Sequence, residues 1–279
     1  MQNAVAVTIE ELFQRSLTAH LPPEEFTKLK QTTVLVAGLG GGSNVAELLI
    51  RKGIGSLVIA DLDVYEPHNI RQRGAAVSTH RMEKVGVMLE RLGDINPHAR
   101  IVPVFEGIQS DNVEELVGRA GYVVDAIDLH ALREKAALYR AARKAGKYVL
   151  SAPSMINGAL LYVFSPDGVT FEEFFEYEDG LPILEAAPRI LKRVGCRFPP
   201  EAPKELYEAA ARGERTIPLD AVGVDQGAVM VVGAIENLIL GRMSRVVTVP
   251  RMVQVDVTDP LFMGRIVDYS ADFGEEKRR

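Results

Sequence analysis

Short apolar runs alternate with stretches whose apolar positions recur every three or four residues through the first 165 positions. Val34–Ala37 reads as a strand, and Val45, Leu48 and Leu49 after it form the buried stripe of a helix. Leu57–Ala60 is a second strand. Ser78 or Thr79 is placed to cap a helix whose Val85, Met88, Leu89 and Leu92 face inward, with Pro97 beyond its end. The strand "IVPVFE" precedes a helix with Val113, Leu116, Val117 and Ala120 at i, i+3, i+4 and i+7. "YVVDAID" is a strand closed by Asp128. "ALREKAALYRAARKAG" is a helix stopped at Gly146, and "KYVLSAP" and "ALLYVF" are two further strands. Upstream, residues 8–30 read as one or two short helices, the second opening at Pro22 and Pro23. Residues 165–220 are aromatic, acidic and proline-rich, with little clear periodicity. The helix "DQGAVMVVGAIENLILG" and the strand "RMVQVDV" return the chain to the core.

This alternation implies an α/β, Rossmann-like, doubly wound fold, with a mainly parallel sheet and an antiparallel C-terminal extension. The expected organisation is an N-terminal helical arm (1–30), a nucleotide-binding core (31–165) and an irregular excursion (166–220). A C-terminal helix and strand (221–279) then complete the core and end in a mobile tail. Composition narrows the class further. A chain of 279 residues, 47% of them hydrophobic, can bury a sizeable core. Its 32 basic and 38 acidic residues leave a net charge of −6, which argues against nucleic acid as a partner. No apolar run reads as a membrane span, and the N-terminus lacks the basic start of a signal peptide. These features place the protein in the cytoplasm. One cysteine, Cys196, excludes an intrachain disulfide and a Cys-only zinc site. The five histidines show no metal-ligand spacing.

The chemistry concentrates between the first two strands and beyond. Gly38, Gly40, Gly41 and Gly42 let the backbone approach a phosphate, and the helix after them aims its free N–H groups at it. Asp61 ends the second strand, where an acid can accept from ribose hydroxyls. The pattern G-x-G-x-x-G is incomplete, because Ser43 stands at the last position. The loop alone fits either a dinucleotide or ATP. The segment "ADLDVYEPHNIRQRGA" then adds Asp63, Asn69, Arg71, Gln72 and Arg73, a density of cations and amides that suits a triphosphate. Lys84 opens the next helix as a point charge for phosphate. Asp128, at the carboxyl end of a strand, is where such sheets hold ligands and can bind Mg²⁺.

These segments together resemble the ThiF/MoeB/HesA family of ubiquitin-activating-enzyme-like adenylyltransferases. The resemblance rests on "VLVAGLGGG", "GIGSLVIADLDVYEPHNIRQRGA", "EKVGVMLERLGDINPHARI" and "YVVDAIDLHALR", in the family's order. It implies a homodimer that binds Mg-ATP and adenylates a carboxylate, usually the C-terminus of a small ubiquitin-like carrier protein. It further implies a phosphate loop at Gly38, Gly40 and Gly41, a ribose acid at Asp61 and a phosphate-side amide at Asn69. Lys84 resembles the family's phosphate lysine and Asp128 its metal-binding aspartate. Arg15 is similar to the arginine that the family inserts into the neighbouring subunit's ATP site. By the same resemblance, the excursion shapes a groove for the substrate's tail. The chain departs from the pattern in three ways: Ser43 in the loop, no paired C-x-x-C zinc motif, and "NIRQR" one residue out of step. The last leaves open whether Arg71 or Arg73 takes the family arginine's place.

The expected reaction is attack of a carboxylate on the α-phosphorus of ATP. The positive groups would neutralise charge while pyrophosphate leaves. Cys196, near Lys192, Arg193 and Arg197, is either a thiolate acceptor for the acyl group or a small buried hydrophobe. Three other readings are an NAD-dependent oxidoreductase, a catalytically silent nucleotide-binding scaffold and an ATP-dependent modifier of a tRNA nucleoside. Hydride transfer has no use for the polar block from Asp63 to Lys84, and the acidic balance counts against tRNA.

Overall fold

The computed structural model describes residues 7–194, 219–259 and 264–273, together with isolated positions 205, 209 and 214. Two short helices, α1 (Ile9–Phe13) and α2 (Pro23–Gln31), precede the first strand. Thr8 starts α1 through a reciprocal cap: its hydroxyl accepts from the Glu11 amide, and the Glu11 carboxylate accepts from the Thr8 amide. The elements then alternate as β1 (Thr33–Ala37), α3 (Gly42–Arg51), β2 (Ser56–Ala60), α4 (Lys84–Ile95), β3 (Arg100–Val104), α5 (Val113–Gly118) and β4 (Tyr122–Asp125). Beyond them lie α6 (Leu132–Lys144), β5 (Val149–Ser151), β6 (Ser154–Met155) and β7 (Gly158–Phe164). Next come α7 (Phe171–Phe175), α8 (Ile183–Val194), α9 (Ala221–Ile239), β8 (Arg251–Val255) and β9 (Gly264–Asp268).

The strands form one sheet in the order β3-β2-β1-β4-β5-β7-β8-β9, with β6 paired to β7. β1 to β5 run parallel, and β7, β8 and β9 extend the sheet antiparallel. The doubly wound, mainly parallel fold with an antiparallel extension is therefore the one the sequence pattern predicts. Because side chains alternate along each strand, the sheet separates two apolar layers. Val34, Val36, Leu57 and Ile59 pack with Val45, Leu49 and Met88 of α3 and α4, and with Val231 and Ile235 of α9. Leu35, Val58 and Val123 pack on the opposite face with α5 and α6, and an aromatic group including Phe164, Phe174 and Phe175 lies in that same layer. Order reverses between β1 and β4, where helices leave to opposite faces and open a crevice at the strands' carboxyl ends.

Several elements depart from expectation, each for a physical reason. α4 begins at Lys84, not behind Ser78 or Thr79. The Thr79 hydroxyl is spent locally, donating to the Gly74 carbonyl at 2.7 Å and accepting from the Ala76 amide at 2.9 Å. β4 ends at Asp125, so Asp128 lies three residues beyond the strand, ahead of a 3₁₀ turn at Leu129–Ala131. Within the excursion, α8 is a regular helix with Ile183, Ala186, Ala187 and Ile190 on one face. Its stripe was hidden by Pro188. The tail is partly anchored: Asp272 accepts from Arg193, and Phe273 stacks on Phe174 with ring centroids 6.2 Å apart. Residues 274–279 and Cys196 lie outside the described residues. By length and composition α9 could cross a membrane, contrary to the sequence expectation, but half of its most apolar window is buried in the core.

Candidate functional site

Gly38 comes directly after β1 with φ at 89°, in the left-handed region, and its amide donates to the Ala60 carbonyl at 2.7 Å. A Cβ there would lie 2.4 Å from the Ala126 carbonyl oxygen, so only glycine lets the β1 and β4 exits come together. Gly42 is the close helix–strand contact, since its Cβ would sit 3.0 Å from Val36 and 3.1 Å from Ala126. That is the packing role the sequence motif assigns to the position Ser43 occupies. The Ser43 hydroxyl instead donates to the Gly40 carbonyl at 2.8 Å. Ser43 is also the first residue of this turn whose amide bonds to a loop carbonyl, that of Gly40. The amides of Gly40, Gly41 and Gly42 precede it at the positive end of α3.

Asp61 lies immediately past β2. One carboxylate oxygen accepts from the Leu39 amide at 2.5 Å, the other from the Asp63 amide at 2.8 Å. It thus ties the glycine loop to the β2 exit. Burial pushes the Asp61 carboxyl above its ordinary value of 3.8, against the pull of Lys84 and the two amides. The chain then leaves and returns. An antiparallel bridge joins Val64 to Glu83, and the Tyr65 amide donates to the Met82 carbonyl at 2.9 Å. This closure brings Lys84 beside Asp63 although 21 positions separate them. The Lys84 ammonium, its side chain 7% exposed, lies 3.0 Å from Asp63 and 3.8 Å from Asp61.

The returning loop displays the polar block. Asn69 is buried, its carbonyl oxygen accepting from the Glu66 amide at 2.9 Å. Arg71 donates to the His68 carbonyl at 2.9 Å. Gln72 is buried, and its Oε1 has no hydrogen-bond partner among the described residues. Arg73 points elsewhere, to Asp225 on α9, at 3.0 Å from each carboxylate oxygen. Asn44 completes that junction, accepting from the Arg73 amide and donating to Asp225. Buried Tyr65 donates to the Arg73 carbonyl at 2.7 Å, and burial raises the phenol's pKa, so it stays a neutral donor.

A cavity of about 1040 Å³ occupies the crevice. Gly40, Gly41 and Gly42 border it together with Asp63, Asn69, Arg71, Gln72, Lys84 and Asp128. Gly38, Asp61 and Arg73 do not line its wall but fix the loops that do. Arg15 lies in the exposed turn after α1, away from this wall.

Sequence reasoning missed one polar cluster on the cavity wall. Asp125 is buried at the end of β4, and its carboxylate accepts from Lys135 and, at 2.8 Å, from Tyr139, both on α6. Its other oxygen accepts from the Ile127 amide at 3.1 Å, which holds the segment leading to Asp128. Burial first, then the Asp125 charge, raises the Tyr139 pKa well above its ordinary value. The available signal was Lys135 itself, a lysine at i+3 from Leu132 and i−4 from Tyr139, inside an otherwise apolar stripe.

The residues present fit ATP and magnesium. The cavity-facing amides of Gly40, Gly41 and Gly42 suit phosphates, and the orphaned Gln72 oxygen is free to accept from a ligand. Among the described residues no cluster of three or more His, Cys, Asp or Glu could hold a metal by itself. A lone carboxylate such as Asp128 suits Mg²⁺, which completes its shell with phosphates and water.

Comparison with known proteins places the chain among relatives of the same fold. The chain is 37% identical over 131 residues to the tRNA threonylcarbamoyladenosine dehydratase of Escherichia coli K12, covering 46% of this chain and 48% of that one. It is 30% identical over 119 residues to the sulfur carrier protein ThiS adenylyltransferase of Bacillus subtilis, covering 41% and 35%. It spans about half the length, or less, of the curated relatives it matches. Among solved structures, PaaA superposes with a TM-score of 0.69 at 18% identity, covering 96% of this chain and 85% of PaaA. The E. coli dehydratase TcdA gives 0.61 at 19% identity, covering 87% and 100%. The ThiF family model matches residues 13–213, well over half the sequence. The chain belongs to the ThiF family.

Proposed function

We propose that this chain is an ATP-dependent adenylyltransferase that activates a carboxylate as its acyl adenylate and releases pyrophosphate. One observation carries the reading: the glycine-loop amides, Arg71, Gln72, Lys84 and Asp128 border a single cavity at the sheet's topological switch point. Hydride transfer needs the loop but not the cations.

In this reading a carboxylate oxygen attacks the α-phosphorus, a P–O bond forms, and the bond to the bridging oxygen breaks with pyrophosphate as leaving group. The chain positions the partners in line and neutralises charge as it moves. Gly40, Gly41 and Gly42 offer amides to the phosphates, and Asn69 and Gln72 offer amide groups beside them. Asp63, on the cavity wall, accepts from the ribose, while Asp61, the acid first expected there, holds the loop behind it. Lys84 and Arg71 supply fixed positive charge, and the triphosphate competes with Asp63 and Asp61 for the Lys84 ammonium. Mg²⁺ at Asp128, when bound, supplies Lewis-acid neutralisation of phosphate charge. In this reading the chain is a homodimer, and Arg15, exposed and outside its own cavity wall, is assigned to the neighbouring copy's site. With ATP as substrate, the reading places the protein in the cytoplasm.

The expected substrate is the C-terminus of a carrier protein or peptide. A second reading, favoured by the identity to dehydratases named for a tRNA nucleoside, takes the carboxylate of a tRNA-borne threonylcarbamoyl group. Exchange of labelled pyrophosphate into ATP tests both. Exchange dependent on a peptide or carrier carboxylate is the expected result, and exchange dependent on tRNA establishes the second. Absence of exchange with every carboxylate, alongside retained ATP binding, leaves a silent scaffold and defeats the proposal.

A further inference from the structure

The cavity lies at the upper end of ligand-pocket sizes, and its two ends are chemically unlike. The end at the glycine loop is polar. The other reaches the opposite face of the sheet, beneath α6, α7 and α8. There Asp125, Ser151 and Tyr162 stand in register across β4, β5 and β7, so their side chains share that face. The walls around them are Tyr162, Phe171, Phe175, Ala187 and Ile190, each no more than 6% exposed although all border the cavity. One charged group is set among them. The Lys135 ammonium, its side chain 9% exposed, has one acceptor among the described residues, Asp125, for its three N–H groups.

We propose that this second end receives the side chain next to the carboxylate that is adenylated. The substrate is then a free amino acid or peptide C-terminus whose last residue is bulky and apolar, with Lys135 donating to a nearby acceptor on it. The inference rests on the adenylyltransferase reading and narrows its substrate class. Continuity supports this occupant: one cavity joins the phosphate loop to the aromatic walls, so an acid activated at one end can lay its substituent along the other. The aromatic walls reward an apolar group, and a glycine-terminated tail has nothing with which to fill them.

Acyl-sulfamoyl adenosines, stable mimics of the acyl adenylate, separate the alternatives. The set is glycyl, phenylalanyl and N-acetylalanyl-phenylalanyl, with ATP as a fourth ligand, all measured by calorimetry on the full chain. The expected result is that a phenylalanyl probe binds at least about tenfold more tightly than the glycyl probe. The free-amine and acetyl-peptide probes tell an amino acid from a peptide end. Equal affinities, or a glycyl preference, with ATP still bound overturn this inference and leave the adenylation reading standing. Failure of ATP and all three probes to bind overturns both. Ala187→Phe, which fills the second end, is expected to bring the preference below about threefold with an unchanged circular dichroism spectrum. A preference that survives in that folded variant also overturns the assignment.

Discussion

Arg73 donates to both carboxylate oxygens of Asp225, at 3.0 Å each, and so fastens the loop after β2 to α9. Its neighbour Arg71 borders the cavity and bonds only a local carbonyl. The two arginines that the sequence left interchangeable should therefore separate experimentally. Arg73→Ala is expected to lower stability by about 0.5–1 kcal/mol, since the pair is partly solvated, with little change in the KM for ATP. Arg71→Ala is expected to raise that KM by about tenfold, the worth of one charge-assisted contact, with the melting temperature unchanged. Thermal melts and exchange kinetics on both variants check this, and the opposite pattern would hand the phosphate role to Arg73.

Lys84 is held between Asp63 and Asp61 at the cavity wall, and Asp128 borders the same cavity from beyond β4. Removing a preorganised charge of this kind typically costs about a hundredfold or more in rate. Lys84→Ala is expected to reduce kcat/KM for pyrophosphate exchange by at least that factor, with Lys84→Arg recovering part. Asp128→Asn should raise the Mg²⁺ concentration needed for half-maximal exchange. A magnesium titration unchanged by that substitution would remove Asp128 from metal binding.

Gly38 combines a φ of 89° with a site where a Cβ would meet the Ala126 oxygen at 2.4 Å. Gly38→Ala must strain its own backbone, at about 1–3 kcal/mol, and also push apart the β1 and β4 exits. Urea unfolding should show a lower midpoint with an unchanged slope. Gly146 also has a positive φ, of 67°, but a Cβ there meets nothing, so Gly146→Ala is the milder control.

Glu47 sits on α3 between Arg51 of the same helix and Arg91 of α4. Burial pushes its carboxyl up, but hydrogen bonds and charge from the two arginines outweigh this and hold it below its ordinary 4.5. A folded-state pKa below the unfolded one gives stability that is present above about pH 4.5 and lost as pH falls through the folded value. Glu47→Gln is expected to cost about 1 kcal/mol at pH 7, because both arginines are substantially exposed. Denaturation curves of wild type and variant should converge as pH falls from 4.5 through the folded value. A gap that stays constant throughout the acid range would contradict the assignment.

The alternating strand and helix patterns, the glycine loop and the polar block from Asp63 to Lys84 were all legible, because each is encoded within a few neighbouring residues. Boundaries that depend on competing partners were not. Thr79 looked like a helix cap until its hydroxyl found Gly74 and Ala76, and Asp128 looked like a strand end because β4's own carboxylate, Asp125, reads the same locally. The α8 stripe was obscured by Pro188, and Lys135 carried no local signal of its partner because its acceptor lies ten residues back on another element.

By itself the sequence determined the α/β class and which residues are chemically able to hold phosphates. Periodicity, glycine backbone freedom and charge density are short-range properties. Only the tertiary structure decided that the Val64–Glu83 bridge sets Lys84 against Asp63, that Asp225 takes Arg73 out of the cavity, and that aromatic walls continue the phosphate crevice. Those outcomes depend on which distant groups meet when long loops close and the sheet's faces are covered. No local window contains both partners of such a contact.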